Sequence, residues 1–335
     1  MFNKKQATAW LLGGVSSLLV GCGALASGGA DAQGIRLAHN LGTVHPVHQS
    51  LMEFQDLVND QGDFGLQLFA DGVLGDEREI IEMVQAGLLE FARVSAGNLE
   101  PFAPIYQIFS LPYSFVSQDH LHQVMNHSQA VRDIWASTYD QGFVGIGWFD
   151  SGQRSIYLND YRVVQTPADL SGLAIRTLGS PTAMGIINAM GATATPMPFG
   201  EVYSGLQQGI IDGAENNETA LTLSSHGEVA SVYVYTMHQM IPDILIVSTQ
   251  FWDGLTTAQQ EMFRDAAAVV SGTHRTRWDQ SVREAVTIAE EEMGVIFRHI
   301  DITPFIDATQ SIRDGFMAAS DENRHMLEAF RSFAN

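Results

Sequence analysis

The feature that most limits which folds this chain can adopt is the repeated alternation of short apolar runs with longer amphipathic stretches. From Gly34 onward, residues 34–39, 64–70 and 90–95 have the apolar or alternating pattern of strands. Between these runs, apolar residues recur every three or four positions, as on one face of a helix, after Pro46 and again around Ile80. This βαβαβ order predicts a parallel sheet with a ligand crevice at the carboxyl ends of its strands.

A second alternation of the same kind follows later in the chain. Ser180 and Pro181 have the residue types of a helix start, and Gly191 can close that helix. Residues 257–293 read as one almost continuous helix, with Thr257 and Gln260 as a capping box. The other predicted strands cover residues 143–149, 173–176, 192–195, 210–214, 231–235 and 244–249. We therefore predict an α/β chain of two lobes, with the long helix in contact with both.

The first 32 residues have the layout of a secretory signal. Two lysines precede an uncharged run at residues 7–20 that is too short to span a bilayer comfortably, and small residues follow it. Cleavage after Ala26 or Ala32 would release the rest of the chain. Alternatively, the string LVGC resembles a lipobox, in which Cys22 would be lipidated. Either way we expect the protein to leave the cytoplasm, with the periplasm as its location.

Charge and cysteine content narrow the function classes further. Beyond the two lysines of the signal, the chain has 15 arginines against 38 acidic residues, a net charge of about −23. Such a surface repels nucleic acid and anionic lipid, so neither is an expected partner. The single cysteine excludes a disulfide, a cysteine-based metal cluster and a thiol nucleophile from the mature domain. Because this net negative charge repels anions, an anionic ligand would need positively charged side chains at the binding site itself.

The common catalytic motifs are missing from this sequence. It contains no GxSxG, HExxH, Walker or GxGxxG string. Two histidine pairs, His45 with His48 and His120 with His122, have spacings that could hold a metal, but neither has a third ligand at a suitable distance along the chain. We therefore predict a binding protein with no metal, no cofactor and no catalytic residues.

Arg176 is the strongest candidate for a ligand contact. It ends the apolar strand LAIR and precedes the start of a helix, so its guanidinium would reach the crevice at the strand ends. A guanidinium can hold a carboxylate through two parallel hydrogen bonds. The alternative is an ordinary salt bridge at the end of a strand.

Three further polar clusters leave predicted strands or begin helices. Asn216 and Asn217, in IIDGAENN, can donate to and accept from a hydroxy acid, or form only a polar turn. Arg154 and Asp150, in FDSGQRSIY, could hold the other end of a ligand or simply pair with each other. Glu77 belongs to a helix start where the helix dipole alone explains an acid, although it could also accept ligand hydroxyls.

Several longer strings, taken in order, resemble the DctP-type solute receptors of TRAP transporters. They are HPVH (45–48), LGDEREIIEMVQAG (74–87), PFAPIYQIFSLPYSF (101–115), GLAIRTLGSPTAMG (172–185), EVYSGLQQGIIDGAENN (201–217) and HQMIPDILIVS (238–248). The resemblance implies a two-lobed, type II periplasmic-binding-protein-like fold with crossing strands and a long helix spanning both lobes. It also implies closure around a small organic acid and docking to a membrane permease.

The resemblance assigns roles and lobe boundaries as well. Lobe I would comprise residues 33–158 with about 250–280, and lobe II residues 159–249 with about 281–335. The arginine that matches Arg176 holds the ligand carboxylate, assisted by the match to Asn216, while the match to Glu77 lines the pocket.

HPVH, DSGQRSIY and GAENN resemble the branch of the family that takes hexuronates such as glucuronate and galacturonate. In that branch Arg154 would contact ring oxygens or the carboxylate of the ligand. His45, Glu77 and Asp150 would form hydrogen bonds with its hydroxyls. Phe199 and Gln153 depart from the related pattern. A receptor for a C4-dicarboxylate or another hydroxy acid is the alternative, and an exported enzyme acting on acidic sugars through Glu77 and Asp150 is a more distant one.

Overall fold

A computed structural model describes residues 34–62 and 64–334 of the chain. The predicted signal segment, with Cys22 and the two cleavage sites, lies outside the described residues. Within those residues, no helix combines the length and the apolar character needed to cross a bilayer.

Eleven strands form two mixed sheets in this part of the chain. The first sheet has the strand order β2-β1-β3-β10-β4 and the second β11-β9-β5-β8-β6-β7. The strands are β1 (Arg36–Ala38), β2 (Gln67–Phe69), β3 (Phe91–Ser95), β4 (Phe143–Phe149), β5 (Arg154–Leu158), β6 (Ala174–Thr177), β7 (Thr193–Pro196), β8 (Gly213–Asn216), β9 (Val232–Gln239), β10 (Asp243–Ser248) and β11 (Ile296–His299).

Helices follow most of the strands. They are α1 (Pro46–Gln61), α2 (Glu77–Gln85), α3 (Ala96–Leu99), α4 (Gln107–Ser110), α5 (Gln118–His127), α6 (Gln129–Ser137), α7 (Pro181–Ala189), α8 (Val202–Gln207), α9 (Thr219–Leu223), α10 (Thr249–Trp252), α11 (Thr257–Glu291), α12 (Thr303–Ala319) and α13 (Asp321–Arg331). Single 3₁₀ turns cover 104–106, 139–141, 167–170, 199–201 and 226–228.

The βαβαβ opening forms a parallel sheet, as the alternation of residues predicts. Strand β1 pairs in parallel with both β2 and β3. The sheet does not stay parallel, because β10 runs antiparallel between β3 and β4. The second sheet is built the same way, with β6 parallel to β7 and β8, and β5 antiparallel to β8 and β9. Antiparallel insertion brings the first residue of β10 to the carboxyl end of its neighbours.

Both sheets are covered by apolar side chains on both faces, which gives a two-lobed α/β architecture. In the first lobe, Ile81 of α2 and Phe54 of α1 lie in the two separate clusters of buried residues. In the second lobe, Ile186 of α7 and Leu206 of α8 likewise lie in two separate clusters of buried residues. Each sheet therefore has its own hydrophobic core, with helices on both sides.

The two lobes are joined by chain segments that pass directly from one sheet to the other. Residues 150–153 lead from β4 in the first sheet to β5 in the second, and residues 240–242 lead from β9 back to β10. The two segments are bonded to each other, because the Ser151 hydroxyl donates to the Ile241 carbonyl at 2.5 Å. The predicted crossing strands are confirmed, while the residue boundaries of the lobes stay a prediction.

Helix α11 contacts both lobes, as its length predicts. Its Phe263 belongs to the core of the first lobe and its Ala289 to the core of the second. The predicted capping box is displaced by one residue, since Thr256 and Gln259 form it in place of Thr257 and Gln260. The predicted start of α7 is confirmed, with Ser180 accepting the Ala183 amide and Pro181 in the first turn.

Candidate functional site

A cavity of about 250 Å³ lies between the two sheets, at the carboxyl ends of β3, β6 and β8. This volume is below the range of about 300 to 1,000 Å³ typical of drug-sized ligands, so the cavity suits a small molecule. Its polar lining residues are Asn40, His45, Asp76, Glu77, Arg78, Arg93, Ser95, Asn98, Ser151, Arg154, Arg176, Asn216, Asn217, Thr219, Ser224 and Asp243.

Arg176, on β6, is a buried cation without an acidic partner. Its Nε and Nη2 atoms both donate to the Met197 carbonyl, at 3.0 and 2.8 Å. No carboxylate of the described residues comes within 4.0 Å of its guanidinium, which excludes the strand-end salt bridge considered as an alternative. Burial lowers the pKa of Arg176 from its usual value. Since Met197 takes one edge of the fork, the edge formed by the two Nη atoms is free for an anion.

The ring of Phe199 covers one side of the same guanidinium. The Cζ atom of Arg176 lies 5.9 Å from the ring centroid, within the range of a cation–π contact. The aromatic face stabilises the cation without neutralising it.

Arg154, at the start of β5, is held on three sides by β8. It forms an ion pair with Glu215, and its Nη2 and Nη1 atoms donate to the Glu215 carbonyl at 2.9 Å and to Asn216 Oδ1 at 3.0 Å. The predicted alternative pairing with Asp150 is wrong. Burial alone would lower the pKa of Arg154, but the Glu215 carboxylate raises it above its usual value. Arg154 therefore differs from Arg176 in having its own counter-ion.

Asn216 has its oxygen occupied and its amide nitrogen available. Its Oδ1 accepts from Arg154 and from the Asn217 amide at 2.9 Å, while Nδ2 donates to no residue of the described chain. Asn217 is used internally, with Oδ1 accepting from Thr219 and Nδ2 donating to Ser151. Neither asparagine has a left-handed backbone. Asn216 is thus a donor aimed at the cavity, and Asn217 a residue that shapes its wall.

Glu77 is the first residue of α2 and is already satisfied by protein donors. Its carboxylate accepts from Arg93 at 2.8 Å, from the Ser95 amide at 3.0 Å and from Asn98 at 2.6 Å. Arg93 also forms an ion pair with Asp243. Sequence reasoning missed Arg93 and Asp243, although both line the cavity. A charged residue in the middle of the buried strand FARVS was the available signal for Arg93.

His45 lines the cavity from the N-cap of α1. Its Nδ1 accepts the Val47 amide at 3.2 Å. Burial, with the charge of Arg93, holds the pKa of His45 well below its usual value. The ring is therefore neutral at neutral pH and carries its proton on Nε2, which makes it a donor.

The structure does not bring Asp150 to this cavity. Its carboxylate lies in a second pocket, on the side of Gln118 and Trp278. There it accepts from His122 at 2.7 Å, from Gln118 at 2.9 Å and from the Gly152 amide at 2.8 Å. The predicted acid pair of Glu77 and Asp150 therefore does not face one ligand.

The histidine pairs considered as metal ligands have other partners. His48 Nδ1 lies 3.0 Å from His39 Nε2, and His120 Nε2 donates to the Phe330 carbonyl at 2.8 Å. Over residues 34–62 and 64–334, no three His, Cys, Asp or Glu side chains are arranged to hold a metal ion.

The sequence matches a known protein family over most of its length. Residues 37–320 match the DctP family of bacterial extracellular solute-binding proteins, family 7. The chain belongs to the DctP family. It is accordingly an extracytoplasmic solute receptor of a TRAP transporter, in a family whose members bind small solutes and work with a membrane permease.

Three relatives of this DctP chain illustrate the similarity. The uncharacterized protein YiiZ of Salmonella typhimurium is 41% identical over 272 residues, which cover 81% of this chain and 83% of that protein. A TRAP periplasmic solute-binding protein of Anaerococcus prevotii, solved with bound α/β-D-glucuronate, superposes with a TM-score of 0.86 at 38% identity, covering 89% and 97%. One of Xanthobacter autotrophicus, with bound β-D-galacturonate, superposes at 0.84 and 31% identity, covering 89% and 99%.

The DctP chain also has protein contacts that cross the cleft beside the cavity. Glu100, which follows α3 in the first lobe, accepts from the Ser180 hydroxyl at 2.5 Å and the Thr182 hydroxyl at 2.7 Å, at the start of α7 in the second. Nearby, Asn98 Oδ1 accepts the Gly179 amide at 3.0 Å. These bonds join the two lobes directly.

Proposed function

We propose that this receptor binds a hexuronate, such as D-glucuronate or D-galacturonate, in the periplasm and delivers it to its TRAP permease. The single observation that carries the proposal is the unpaired, buried guanidinium of Arg176 in a cavity of sugar size. A ligand carboxylate would neutralise this cation through the free edge of its fork. Structural relatives with bound glucuronate and galacturonate support the choice of ligand class.

The other polar groups of the cavity support a hydroxylated ligand. Asn216 Nδ2 and His45 Nε2 are donors that face it from the second and first lobes respectively. Arg154 can add a contact from its remaining N–H groups, because its ion pair with Glu215 does not use all five. A C4-dicarboxylate carries a second negative charge, and Arg93 and Arg154 already have carboxylate partners in this cavity. That second charge would be buried without a counter-ion, which costs binding free energy.

We further propose that the receptor leaves its ligand chemically unchanged. Glycoside chemistry needs two carboxyl groups on opposite sides of one bond. Glu77 is held by three donors, and Asp150 faces a different pocket, which supports binding without turnover. The protein would be released by signal cleavage, or anchored through Cys22 if the LVGC string is used.

Titration calorimetry of the purified protein with D-glucuronate, D-galacturonate, succinate and ectoine tests this function. We expect a uronate to bind at least about 100-fold more tightly than succinate. The variant Arg176→Met should bind none of them measurably, since it removes the cation that neutralises the ligand. Binding of succinate or ectoine in preference to both uronates would overturn the ligand assignment. Conversion of bound uronate, followed by NMR, would overturn the assignment as a receptor without turnover.

A further inference from the structure

Among the buried residues that line the cavity, Asp243 has a carboxylate that protein donors do not fully satisfy. Glu77 accepts three hydrogen bonds. Asp243 instead forms an ion pair with Arg93 through Oδ2, while its Oδ1 accepts no hydrogen bond from the described residues. The side chain is almost fully buried, at 1% exposure, and lines the cavity. Desolvating a carboxylate oxygen without giving it a donor is costly, so a ligand donor at this position would be favoured.

The fold explains why this carboxylate lies at the site. Asp243 is the first residue of β10, which runs antiparallel between β3 and β4. It pairs with Ser95 at the end of β3 and with Phe149 at the end of β4. The start of β10 thus lies at the strand-end crevice, in the first lobe, whereas Arg176 enters the same cavity from the second sheet.

Charge then determines which end of a ligand reaches Asp243. A ligand carboxylate is attracted to the uncompensated Arg176 and repelled by the Asp243 carboxylate. A neutral hydroxyl, in contrast, can donate to Asp243 Oδ1 in a charge-assisted hydrogen bond. The guanidinium groups of the cavity present only donors. The side-chain oxygens of its four asparagines already accept hydrogen bonds from protein donors: Asn40, Asn98, Asn216 and Asn217.

We propose that Asp243 is the hydroxyl acceptor that gives this receptor its preference for polyhydroxylated acids over acids of the same size without hydroxyls. The inference rests on the proposed function, in which a sugar acid is held by Arg176. It replaces the roles expected for Glu77 and Asp150. Glu77 positions Arg93 beside Asp243, and Asp150 belongs to the other pocket.

The test compares Asp243→Asn with the matched control Asp150→Asn, the same change at a buried aspartate outside the cavity. Calorimetry measures three ligands: D-glucuronate, its C4 epimer D-galacturonate, and tetrahydropyran-2-carboxylate, which has the ring and carboxylate but no hydroxyls. We expect Asp243→Asn to weaken the better-bound uronate about 10- to 100-fold, the loss of one charge-assisted hydrogen bond. Binding of the hydroxyl-free acid should not weaken. Asp150→Asn should leave the affinity for all three ligands unchanged.

Equal weakening of all three ligands in Asp243→Asn would show a general electrostatic role and overturn the inference, as would unchanged uronate affinity. A crystal structure of the wild-type protein with the uronate gives an independent answer. A ligand hydroxyl within about 3.2 Å of an Asp243 carboxylate oxygen supports the inference, and a separation above about 4 Å contradicts it. If the wild-type protein binds no uronate, the proposed function fails instead, which separates the two failures.

Discussion

At the scale of single residues, the contrast between Arg154 and Arg176 is central to this receptor. Both are buried guanidinium groups at strand ends, but only Arg154 has a carboxylate partner, Glu215. A buried ion pair loses stability when one member is removed, since the remaining charge has no counter-ion. A buried cation without a partner instead makes the empty protein less stable, and its removal takes that cost away.

The two arginines should therefore give opposite results when each is replaced by methionine. Arg154→Met is expected to lower the free energy of unfolding by about 3–5 kcal/mol, because Glu215 is left buried and unpaired. Arg176→Met should change it by less than about 1 kcal/mol, or raise it, in ligand-free protein. Urea unfolding of both variants without ligand measures the difference. Comparable losses in the two variants would contradict the charge assignment.

Single residues also show where sequence reasoning stops. Arg176, Asn216 and Glu77 were predicted as site residues because each leaves a strand or begins a helix. His45 was predicted instead from the resemblance of HPVH to the hexuronate-binding branch. Asp243 begins a strand, and only the antiparallel insertion of β10 turns that beginning into part of the crevice. Ion-pair partners such as Glu215 could not be predicted from local sequence, since they depend on which strands become neighbours.

At the scale of elements, β8 determines where several site residues lie. It sits between β5 and β6, and it carries Glu215 and Asn216. Strands β8 and β5 approach each other closely at Gly213, because a Cβ atom there would lie 2.4 Å from the Tyr157 carbonyl oxygen and 2.6 Å from Leu158 Cδ2. Strand β5 itself was not predicted, since RSIYL follows a polar segment that reads as a loop.

Gly213→Ala should move β8 away from β5 and so disturb both stability and binding. We expect a loss of about 1–3 kcal/mol in the free energy of unfolding, as for other overpacked sites, together with weaker uronate binding. Gly315→Ala in α12 is the matched control, because a Cβ atom there meets nothing within 4 Å. That change should be neutral or stabilise by up to about 1 kcal/mol. Denaturant unfolding and calorimetry test the pair, and equal effects would refute the packing argument.

At the scale of the whole molecule, buried histidines link stability to pH. Burial lowers the pKa of six of them, to about 3 for His39 and His226, to about 4 for His238 and His274, well below the usual value for His45, and below the usual value for His48. These groups stay neutral in the folded protein and become charged in the unfolded chain as pH falls below about 6.5. Three carboxyls whose pKa is raised by burial act in the opposite direction: Glu100, Glu218 and Asp243.

The histidines should dominate, so the protein should lose stability between pH 6.5 and 5.5. Each contributes a slope of up to about 1.4 kcal/mol per pH unit, and the net loss over this range is on the order of 3 kcal/mol. Urea unfolding at a series of pH values measures it. His226→Gln, which removes one of the six histidines, should show a smaller slope than the wild-type protein. A stability that is constant or rises on acidification would contradict this account.

The two-lobed architecture was predictable because strand and helix periodicity extends over residues 34–293, and periodicity reports which faces are buried. The helices after residue 300 were not predicted in detail. Phe305 of α12 packs in the core of the second lobe, whereas Phe330 of α13 packs in that of the first. These two consecutive helices thus contribute to the cores of different lobes, and which core a helix joins depends on long-range packing.

The bonds from Glu100 to Ser180 and Thr182 have a consequence for how this receptor divides its work. They form between protein groups alone, so the free energy they give to the contact between the two lobes is the same for every acid that the cleft accepts. Such a contribution strengthens binding of right and wrong ligands equally. Discrimination has to come from groups that contact the ligand, a role that we propose for Arg176 and Asp243. The contact between the lobes and the discrimination between ligands thus depend on separate residues, so evolution can change one without changing the other.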